Sequence, residues 1–285
     1  MQKKLITVLI VFLTICICFS YQDLQAAVIS GENTGKDSDR RHNATKWFED
    51  GQAKYRQAQF DGAVQAFTNA VESDPEYFEA WEGLGNSFYH LGNYDMAIQA
   101  YEKALHLRPD DYSTMVNKGI ALHKKGNPEK SLEIYLEILR ADPHFSKAWY
   151  NKGIALLALN RNKEALQAFE KVLEKDPHDD LALHGKGYLL ILSERYNEAL
   201  QMFARVVQAN PDNTWAWNNM GIALDRLSMY DEAIKAFDKA ISIDPENART
   251  WHNKANTLYN LGSYEEALRV YDKARRLDPL LYGEH

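Results

Sequence analysis

The chain has 285 residues and a formal net charge of −7, from 33 Lys and Arg against 40 Asp and Glu. The charged fraction of 26% and the hydrophobic fraction of 45% lie near the averages of globular proteins, which argues against wholesale disorder and a polytopic membrane protein. The acidic balance disfavours nucleic-acid binding, because it supplies no broad attraction for phosphate backbones. Both cysteines, Cys16 and Cys18, lie near the start, so a disulfide scaffold is excluded.

The first 20 residues predict an export signal. Lys3 and Lys4 precede an apolar run from Leu5 to Phe19, which is the pattern of a secretory signal peptide. At 1.5 Å per residue the run spans roughly 22 Å, less than the ~30 Å hydrocarbon core of a bilayer. A cleaved signal peptide and a short uncleaved N-terminal anchor both stay open. In either case we expect an exported, extracytoplasmic protein, secreted or anchored, that contacts the membrane only through this segment.

A polar linker and a long repeat follow. Residues 21–43 mix Gly, Asn, Ser and charges without apolar periodicity, so they are predicted to form the linker. From there on prolines recur every 34 residues, at Pro75, Pro109, Pro143, Pro177, Pro211, Pro245 and Pro279. Seven repeats fit this period. Their predicted bounds are 44–77, 78–111, 112–145, 146–179, 180–213, 214–247 and 248–281, followed by a tail at 282–285.

Each repeat carries the pattern of two packed helices. Counted within the repeat, position 4 is usually Trp, position 8 is Gly or Ala, position 20 is Ala or Ser, and position 24 is always aromatic. Positions 4, 8 and 11 share one face of a first helix, and positions 20, 24 and 27 share one face of a second. Small residues at 8 and 20 let the two helices approach closely. Because two short helices cannot bury both faces alone, the repeats must stack into an all-α fold, an α-solenoid.

The segments between helices carry recognisable signals. Turn formers such as Gly92-Asn93 separate the two helices of a repeat. Each repeat's proline ends the second helix, because it disfavours helical dihedrals in the residue before it. Polar residues that follow the proline, such as Asp110, Asp179 and Asn213, are predicted to cap the next first helix.

This pattern resembles the tetratricopeptide repeat family over residues 44–281, in the form common in archaeal and bacterial arrays, as in WYNKGIALLAL from Trp149. The resemblance implies a right-handed superhelix of seven helix–turn–helix repeats. The chain departs from the family at position 7, where the usual Leu is replaced in four repeats by lysine. We expect these lysines to lay their alkyl stems on the core and keep their amines in water. They are Lys118, Lys152, Lys186 and Lys254.

In the family, positions 2, 5, 6, 9, 12 and 13 of the first helix line a concave groove, so the resemblance gives these positions a protein-binding role. Carboxamides donate and accept together and can hold an extended peptide backbone, and aromatic side chains can anchor apolar ones. The candidate residues are Tyr55, Asn86, Tyr89, Asn117, His123, Lys147, Tyr150, Asn151, His184, Tyr188, Trp215, Asn218, Asn219, Arg249, His252, Asn253, Asn256 and Tyr259.

Two interpretations of these groove residues stay open. Asn at position 6 and Tyr at position 12 are common in the family partly for packing, so ligand contact and a scaffold role are both possible. Trp215 is the strongest single candidate for ligand contact, because it lies outside the core signature while Trp217 takes the structural position; edge packing is the alternative.

Charge on the predicted groove is uneven. The first two repeats place Glu49, Glu79 and Glu82 there, whereas later repeats place lysines and arginines, among them Lys147 and Arg249. We therefore expect an extended peptide whose acidic part faces the C-terminal repeats. The carboxylate clamp of chaperone-tail-binding members of the family is not found in any three consecutive repeats.

No motif predicts catalysis. The sequence has no HExxH, no zinc-ligand spacing and no phosphate-binding glycine loop, so we expect no enzyme, no metal and no cofactor. The predicted function is a protein- or peptide-binding scaffold with an assembly or adaptor role at the cell envelope. A glycan or cell-wall binder and a helical-repeat RNA binder are the alternatives.

The end of the last repeat raises the question of self-association. The seventh repeat has no further helix after it, so an apolar end around Leu268, Tyr271 or Leu277 could stack on another copy of the chain. The alternative is that the short tail folds back over it.

Overall fold

The computed structural model describes residues 40–279, and within this range it contains fourteen α-helices joined by short turns and no strand. The predicted leader, most of the predicted linker and the tail lie outside the described residues. The helices are α1 (40–56), α2 (Phe60–Ser73), α3 (Phe78–His90), α4 (Tyr94–Leu107), α5 (Tyr112–Lys124), α6 (Pro128–Ala141), α7 (Ser146–Ala158), α8 (Asn162–Lys175), α9 (Asp180–Leu192), α10 (Tyr196–Ala209), α11 (Thr214–Arg226), α12 (Tyr230–Ile243), α13 (Ala248–Leu261) and α14 (Tyr264–Leu277).

The helices form two compact bodies, divided between Gly126 and Asn127. In the N-terminal body, α2 packs on α3, α3 on α4 and α4 on α5. In the C-terminal body each helix from α6 to α14 packs on the next. Each body is therefore a stack of successive helices, and the predicted all-α solenoid class is confirmed. Odd-numbered helices are the first helices of the repeats, and even-numbered helices are the second.

The close approach of paired helices depends on position 8. A Cβ atom added at Gly85 would lie 2.5 Å from the ring of Tyr101, and one added at Gly221 would lie 2.7 Å from the ring of Phe237. Both rings are almost fully buried. The glycine thus makes room for the position-24 aromatic of its own repeat, and the ring fills the contact between the two helices.

The turn inside each repeat has one constant backbone feature. Position 15 adopts a positive φ in all seven repeats, between 56° and 91°. Glycine occupies this position in three repeats. The other four repeats have residues with a Cβ atom, for which a positive φ is sterically unfavourable. These are Ala58, Asn160, Glu194 and Ser228.

The turn between repeats is held by side-chain hydrogen bonds. In five of these turns, the Asp or Asn before the proline accepts a hydrogen bond from the backbone N–H two residues further on, as Asp74 does from Glu76 at 3.1 Å. The position-4 indole then donates to the carbonyl of the proline six residues earlier, as Trp217 does to Pro211 at 2.9 Å. The other three indoles that do so are Trp81, Trp149 and Trp251.

The caps of the first helices correct one expectation. Asp179 and Asn213 accept a backbone N–H from the first turn of α9 and α11, as predicted. The cap of α5, however, is Asp111, which accepts from Thr114 at 2.8 Å, and the prediction of Asp110 is wrong. The cap must stand immediately before the helix, and Asp110 lies one residue too early.

The lysines at position 7 have partners that the sequence interpretation did not anticipate. Three of them form ion pairs with the position-25 acid of the preceding repeat: Lys118 with Glu102, Lys186 with Glu170, and Lys254 with Asp238, at 2.7 to 2.9 Å. The fourth lysine faces a repeat that has Leu136 at position 25, and its amine lies 4.3 Å from the ring centroid of Trp149. We call the pair of positions 7 and 25 the inter-repeat pair.

Two further features concern the ends of the described region. Helix α1 is already formed at residue 40, four residues before the predicted start of the first repeat, so it includes the end of the predicted linker. Leu268 on α14 is 67% exposed. Between residues 40 and 279, no helix combines the length and the apolar character needed to cross a membrane.

Candidate functional site

All the predicted groove residues lie on first helices. In the N-terminal body they are Tyr55 on α1, Asn86 and Tyr89 on α3, and Asn117 and His123 on α5. In the C-terminal body they occupy α7, α9, α11 and α13. Those are Lys147, Tyr150, Asn151, His184, Tyr188, Trp215, Asn218, Asn219, Arg249, His252, Asn253, Asn256 and Tyr259.

The N-terminal body has an open hollow between α1 and α3, the first helices of repeats one and two, which we call the α1–α3 hollow. It has a volume of about 320 Å³. Its aromatic side chains come from α1 and α2, and its carboxylates come from α3. The lining residues are Phe48, Gln52, Tyr55 and Arg56 from α1, Phe67 from α2, and Glu79, Glu82, Gly83 and Asn86 from α3.

The carboxylates of the α1–α3 hollow have different environments. Glu79 forms an ion pair with Arg108 at 2.7 Å. Glu82 has no ion pair within the described residues, and burial raises the pKa of its carboxyl, with Asp111 and Glu79 adding to the effect and Arg108 opposing it. A half-buried carboxylate without a paired cation gives this hollow a preference for a donor or a positive charge.

The C-terminal body has a hollow at the same repeat positions, between α11 and α13. This α11–α13 hollow has a volume of about 360 Å³ and a largely polar lining. Both hollows are formed by positions 9, 12, 13 and 24 of one repeat and by positions 6 and 9 of the next. The lining residues here are Ile222, Asp225 and Arg226 from α11, Phe237 from α12, and Asn253, Asn256, Thr257, Tyr259 and Asn260 from α13.

Asparagines at position 9 serve as acceptors for the protein itself. The Asn86 Oδ1 atom accepts from the hydroxyl of Tyr101 at 2.7 Å and from the amide of Asn117 at 3.3 Å. In the last repeat, the Asn256 Oδ1 atom accepts from the hydroxyl of Tyr271. Each asparagine supplies an acceptor to the hydroxyl of the position-24 tyrosine in its own repeat. For these two residues the geometry favours the scaffold interpretation.

The remaining asparagines make two other kinds of hydrogen bond. The amide of Asn253 donates to Asn218 Oδ1 at 3.0 Å, which links α13 to α11. The amides of Asn151 and Asn219 donate to backbone carbonyls one turn earlier on their own helices, at 2.7 and 2.8 Å. A bond to the same helix is easily exchanged for one to a ligand, because the carbonyl already accepts its helical N–H.

Trp215 is packed rather than projecting. Its ring centroid lies 4.2 Å from that of His184 and 5.3 Å, edge on, from that of the buried Phe203. It is half-buried and joins α11 to α9 and α10. One face of the indole is therefore used inside the protein, and the exposed remainder is what a ligand could contact.

Several titratable groups on the first helices are partly withdrawn from water. Burial lowers the pKa of His184 and of His252, and burial with the neighbouring Lys124 lowers that of His123. Burial, followed by the charge of Asp179, raises the pKa of Tyr150. These directions keep the imidazoles neutral, so they offer one donor and one acceptor each.

Exposed cations and tyrosines complete the surface. The side chains of Lys147 and Arg249 are exposed and form no ion pair within the described residues. Tyr188 and Tyr259 are 51% and 58% exposed. Tyr89 is half-buried and packs edge on against His90, with ring centroids 5.7 Å apart.

Several residues of the hollows were missing from the sequence prediction, and three of them are informative. Phe48 stands at position 5 and Asn260 at position 13, both groove positions that could have been included. Gly83 occupies position 6, where four other repeats have asparagine. The missing side chain was the available signal, because a Cβ atom at Gly83 would lie 2.7 Å from the ring of Phe67.

In residues 40–279, no group of three or more His, Cys, Asp and Glu side chains is placed to hold a metal ion. The surface of the first helices instead combines amides, exposed cations and aromatic rings around open hollows. These groups can bind extended chains through hydrogen bonds and side-chain pockets.

Comparison with known sequences gives the family. Models described as Tetratricopeptide repeat match residues 48–112, 116–180, 214–247 and 236–269. The chain belongs to the tetratricopeptide repeat family, and the predicted family is confirmed. A model described as Protein prenyltransferase alpha subunit repeat also matches residues 196–227. No curated protein matches the chain.

Three solved structures illustrate the similarity in architecture. MamA from Desulfovibrio magneticus RS-1 is 26% identical, with a TM-score of 0.54 over 60% of this chain and 97% of that chain. YrrB, described as a TPR protein with an unusual peptide-binding site, is 27% identical, with a TM-score of 0.51 over 64% of this chain and 94% of that chain. A tetratricopeptide repeat protein from Parabacteroides merdae, 18% identical, shares the fold over 83% of this chain with a TM-score of 0.68. The fold and family make this chain a protein-interaction scaffold.

Proposed function

We propose that the chain is a non-enzymatic scaffold whose first-helix surfaces bind extended peptide segments of partner proteins. The observation that carries the proposal is the repetition of an open hollow at the same repeat positions in both bodies, with aromatic and amide side chains in each. The peptide-binding site named for YrrB supports the same use of the architecture. A partner protein is preferred over a nucleic acid because the chain is acidic.

The charges of the C-terminal body point to a peptide with acidic side chains. Lys147 and Arg249 are exposed cations on first helices without intramolecular partners among the described residues. Carboxylates of a bound peptide would pair with them, and the amides of Asn151 and Asn219 would exchange their same-helix bonds for the peptide backbone.

A selection followed by charge reversal tests this proposal. Dodecapeptides selected from a random phage-displayed library on the full chain are expected to carry acidic residues. Their binding to the variant K147E/R249E should weaken by about tenfold and lose its salt dependence. The matched control K130E/R269E reverses two exposed cations on second helices and should bind like the native chain. Selected peptides that bind both variants equally would refute the proposed groove.

We also propose that the chain works outside the cytoplasm, with an assembly or adaptor role at the cell envelope. Support comes from the cationic start and apolar run of residues 1–20. Fusion of alkaline phosphatase, which is active only after export, to the C-terminus should give activity in cells, and K3E/K4E should reduce it. Full activity of a fusion that lacks residues 1–20 would contradict export by this segment.

A further inference from the structure

The junction between the fifth and sixth repeats differs from its neighbours at the inter-repeat pair of positions 7 and 25. At three other junctions a lysine at position 7 pairs with an acid at position 25 of the preceding repeat. Here these positions hold Met220 and Ala204, so the inter-repeat pair is replaced by two apolar side chains. At the junction that pairs Leu84 with Thr68, which is also without charges, no hollow opens at this place, because Leu84 is buried.

The replacement leaves an apolar hollow of about 510 Å³ between α10, α11 and α12. Its floor consists of Leu200, Ala204, Trp217 and Met220. Leu200, Trp217 and Met220 are half-buried and Ala204 is exposed, so apolar surface faces solvent. The indole of Trp217 is fixed by its bond to the carbonyl of Pro211, which makes this wall rigid before any ligand binds.

The rim of this hollow is charged. Lys235 and Lys239, one turn apart on α12, are exposed and form no ion pair within the described residues. Glu232 stands on the same rim, one turn before Lys235. The rim therefore carries an excess of one positive charge, concentrated at the end nearer Lys239.

We propose that this hollow is a second docking site, separate from the peptide groove, for a partner-protein segment with one bulky apolar side chain flanked by carboxylates. The apolar side chain would cover Met220 and Trp217, and the carboxylates would pair with Lys235 and Lys239. An apolar patch rimmed by charge is the usual mark of a protein contact. The charge on the rim selects acidic flanks over basic ones.

Fluorescence anisotropy with three labelled peptides tests the proposal on the full chain. GEEFEEG is expected to bind, and GEEAEEG to bind about tenfold or more weakly, since it lacks the aromatic ring that the hollow would bury. GKKFKKG should also bind more weakly. Absence of GEEFEEG binding, or equal binding of all three peptides, would overturn the proposal.

The chain itself suggests the matched variants. A204E/M220K installs the inter-repeat pair that three other junctions already accommodate, so the fold should be kept, and a circular-dichroism melt checks this. This variant and K235E/K239E should each lose GEEFEEG binding by about tenfold or more, whereas K103E/K130E, with the same charge change on α4 and α6, should not.

The groove and the hollow are distinguishable in the same experiment. Phage-selected groove peptides should bind A204E/M220K normally, so failure of one proposal leaves the other standing. If GEEFEEG binds A204E/M220K as tightly as the native chain, the hollow is not its site. If the native chain self-associates but does not bind GEEFEEG, and A204E/M220K no longer self-associates, the hollow binds a second copy of the chain and the proposal is overturned.

Discussion

Replacement of Asn86 by alanine tests whether the position-9 asparagines belong to the scaffold. Asn86 Oδ1 accepts from Tyr101, whose side chain is 1% exposed, so the variant leaves a buried hydroxyl without its acceptor. Leaving a buried donor without an acceptor lowers the free energy of unfolding by about 1–3 kcal/mol. Burial also raises the pKa of Tyr101 strongly, so the hydroxyl stays protonated and cannot escape the penalty by ionising.

A double-mutant cycle separates this bond from other effects. Tyr101→Phe alone should cost about 0.5–1.5 kcal/mol, and the double variant N86A/Y101F should cost about 1 kcal/mol less than the sum of the single variants. Hydrogen exchange of the α3 and α4 amides is the assay, because repeat arrays open locally.

Asn151→Ala is the matched control for this cycle. Its amide bonds a carbonyl on its own helix, so the change should be within about 0.5 kcal/mol. The scaffold interpretation would be refuted if Asn86→Ala destabilised the fold as little as the control does, or if the free-energy changes of the two single variants were additive. Asn86 would then be available for ligand contact.

Three further predictions follow from the fold. Glu194 adopts φ of 59° at position 15, so Glu194→Gly should raise the free energy of unfolding by about 1 kcal/mol in urea titration. The control Ser193→Gly, at the neighbouring residue, should not stabilise the fold. An unchanged urea midpoint for Glu194→Gly would refute the backbone strain at this position. Gly221→Ala places a Cβ 2.7 Å from the ring of Phe237, so it should lower the free energy of unfolding by about 1–3 kcal/mol and lower the thermal midpoint accordingly. G221A/F237L should recover part of this loss, and an unchanged midpoint for Gly221→Ala would contradict the close packing. Burial lowers the pKa of His184 and of His252, so the unfolded chain binds more protons than the folded chain at these residues. The free energy of unfolding should therefore fall as pH is lowered through about 6.5, and H184N/H252N should flatten this slope. Equal slopes for the native chain and H184N/H252N would refute the assignment.

Most of the fold could be predicted from the sequence, because a 34-residue period repeats the same packing seven times. Position 8 and position 24 meet in the structure as their spacing predicts, since the small residue and the ring are needed at the same contact. The error at Asp110 arose because two consecutive acids, Asp110 and Asp111, could both cap, and only the residue adjoining α5 reaches its N–H groups.

The inter-repeat pair was present in the sequence but not recognised. Position 7 is lysine wherever position 25 of the preceding repeat is acidic, as with Lys254 and Asp238. Where position 25 is not acidic, position 7 is Leu84, Met220 or Lys152, and the amine of Lys152 lies over the ring of Trp149 instead. The signal lies between neighbouring repeats, so it cannot be seen when each repeat is considered alone.

The site was less predictable than the fold because one residue type has two uses. Asn86 and Asn256 stand in repeats with Tyr at position 24 and serve its hydroxyl, whereas Asn151 and Asn219 bond only their own helices. Periodicity assigns these asparagines to the same surface. Their availability to a ligand depends on the partner that packing gives each one.

Hydroxyl-radical footprinting of the chain with and without a saturating phage-selected peptide tests the central claim most directly. Tyr188 and Tyr259 on first helices are 51% and 58% exposed, and Met96 and Met229 outside them are 39% and 40% exposed, so all four react in the free chain. A peptide on the first-helix surface should reduce oxidation of one or both tyrosines several-fold and leave the methionines unchanged. Protection of Met96 or Met229 with no protection of the tyrosines would contradict binding at the first helices.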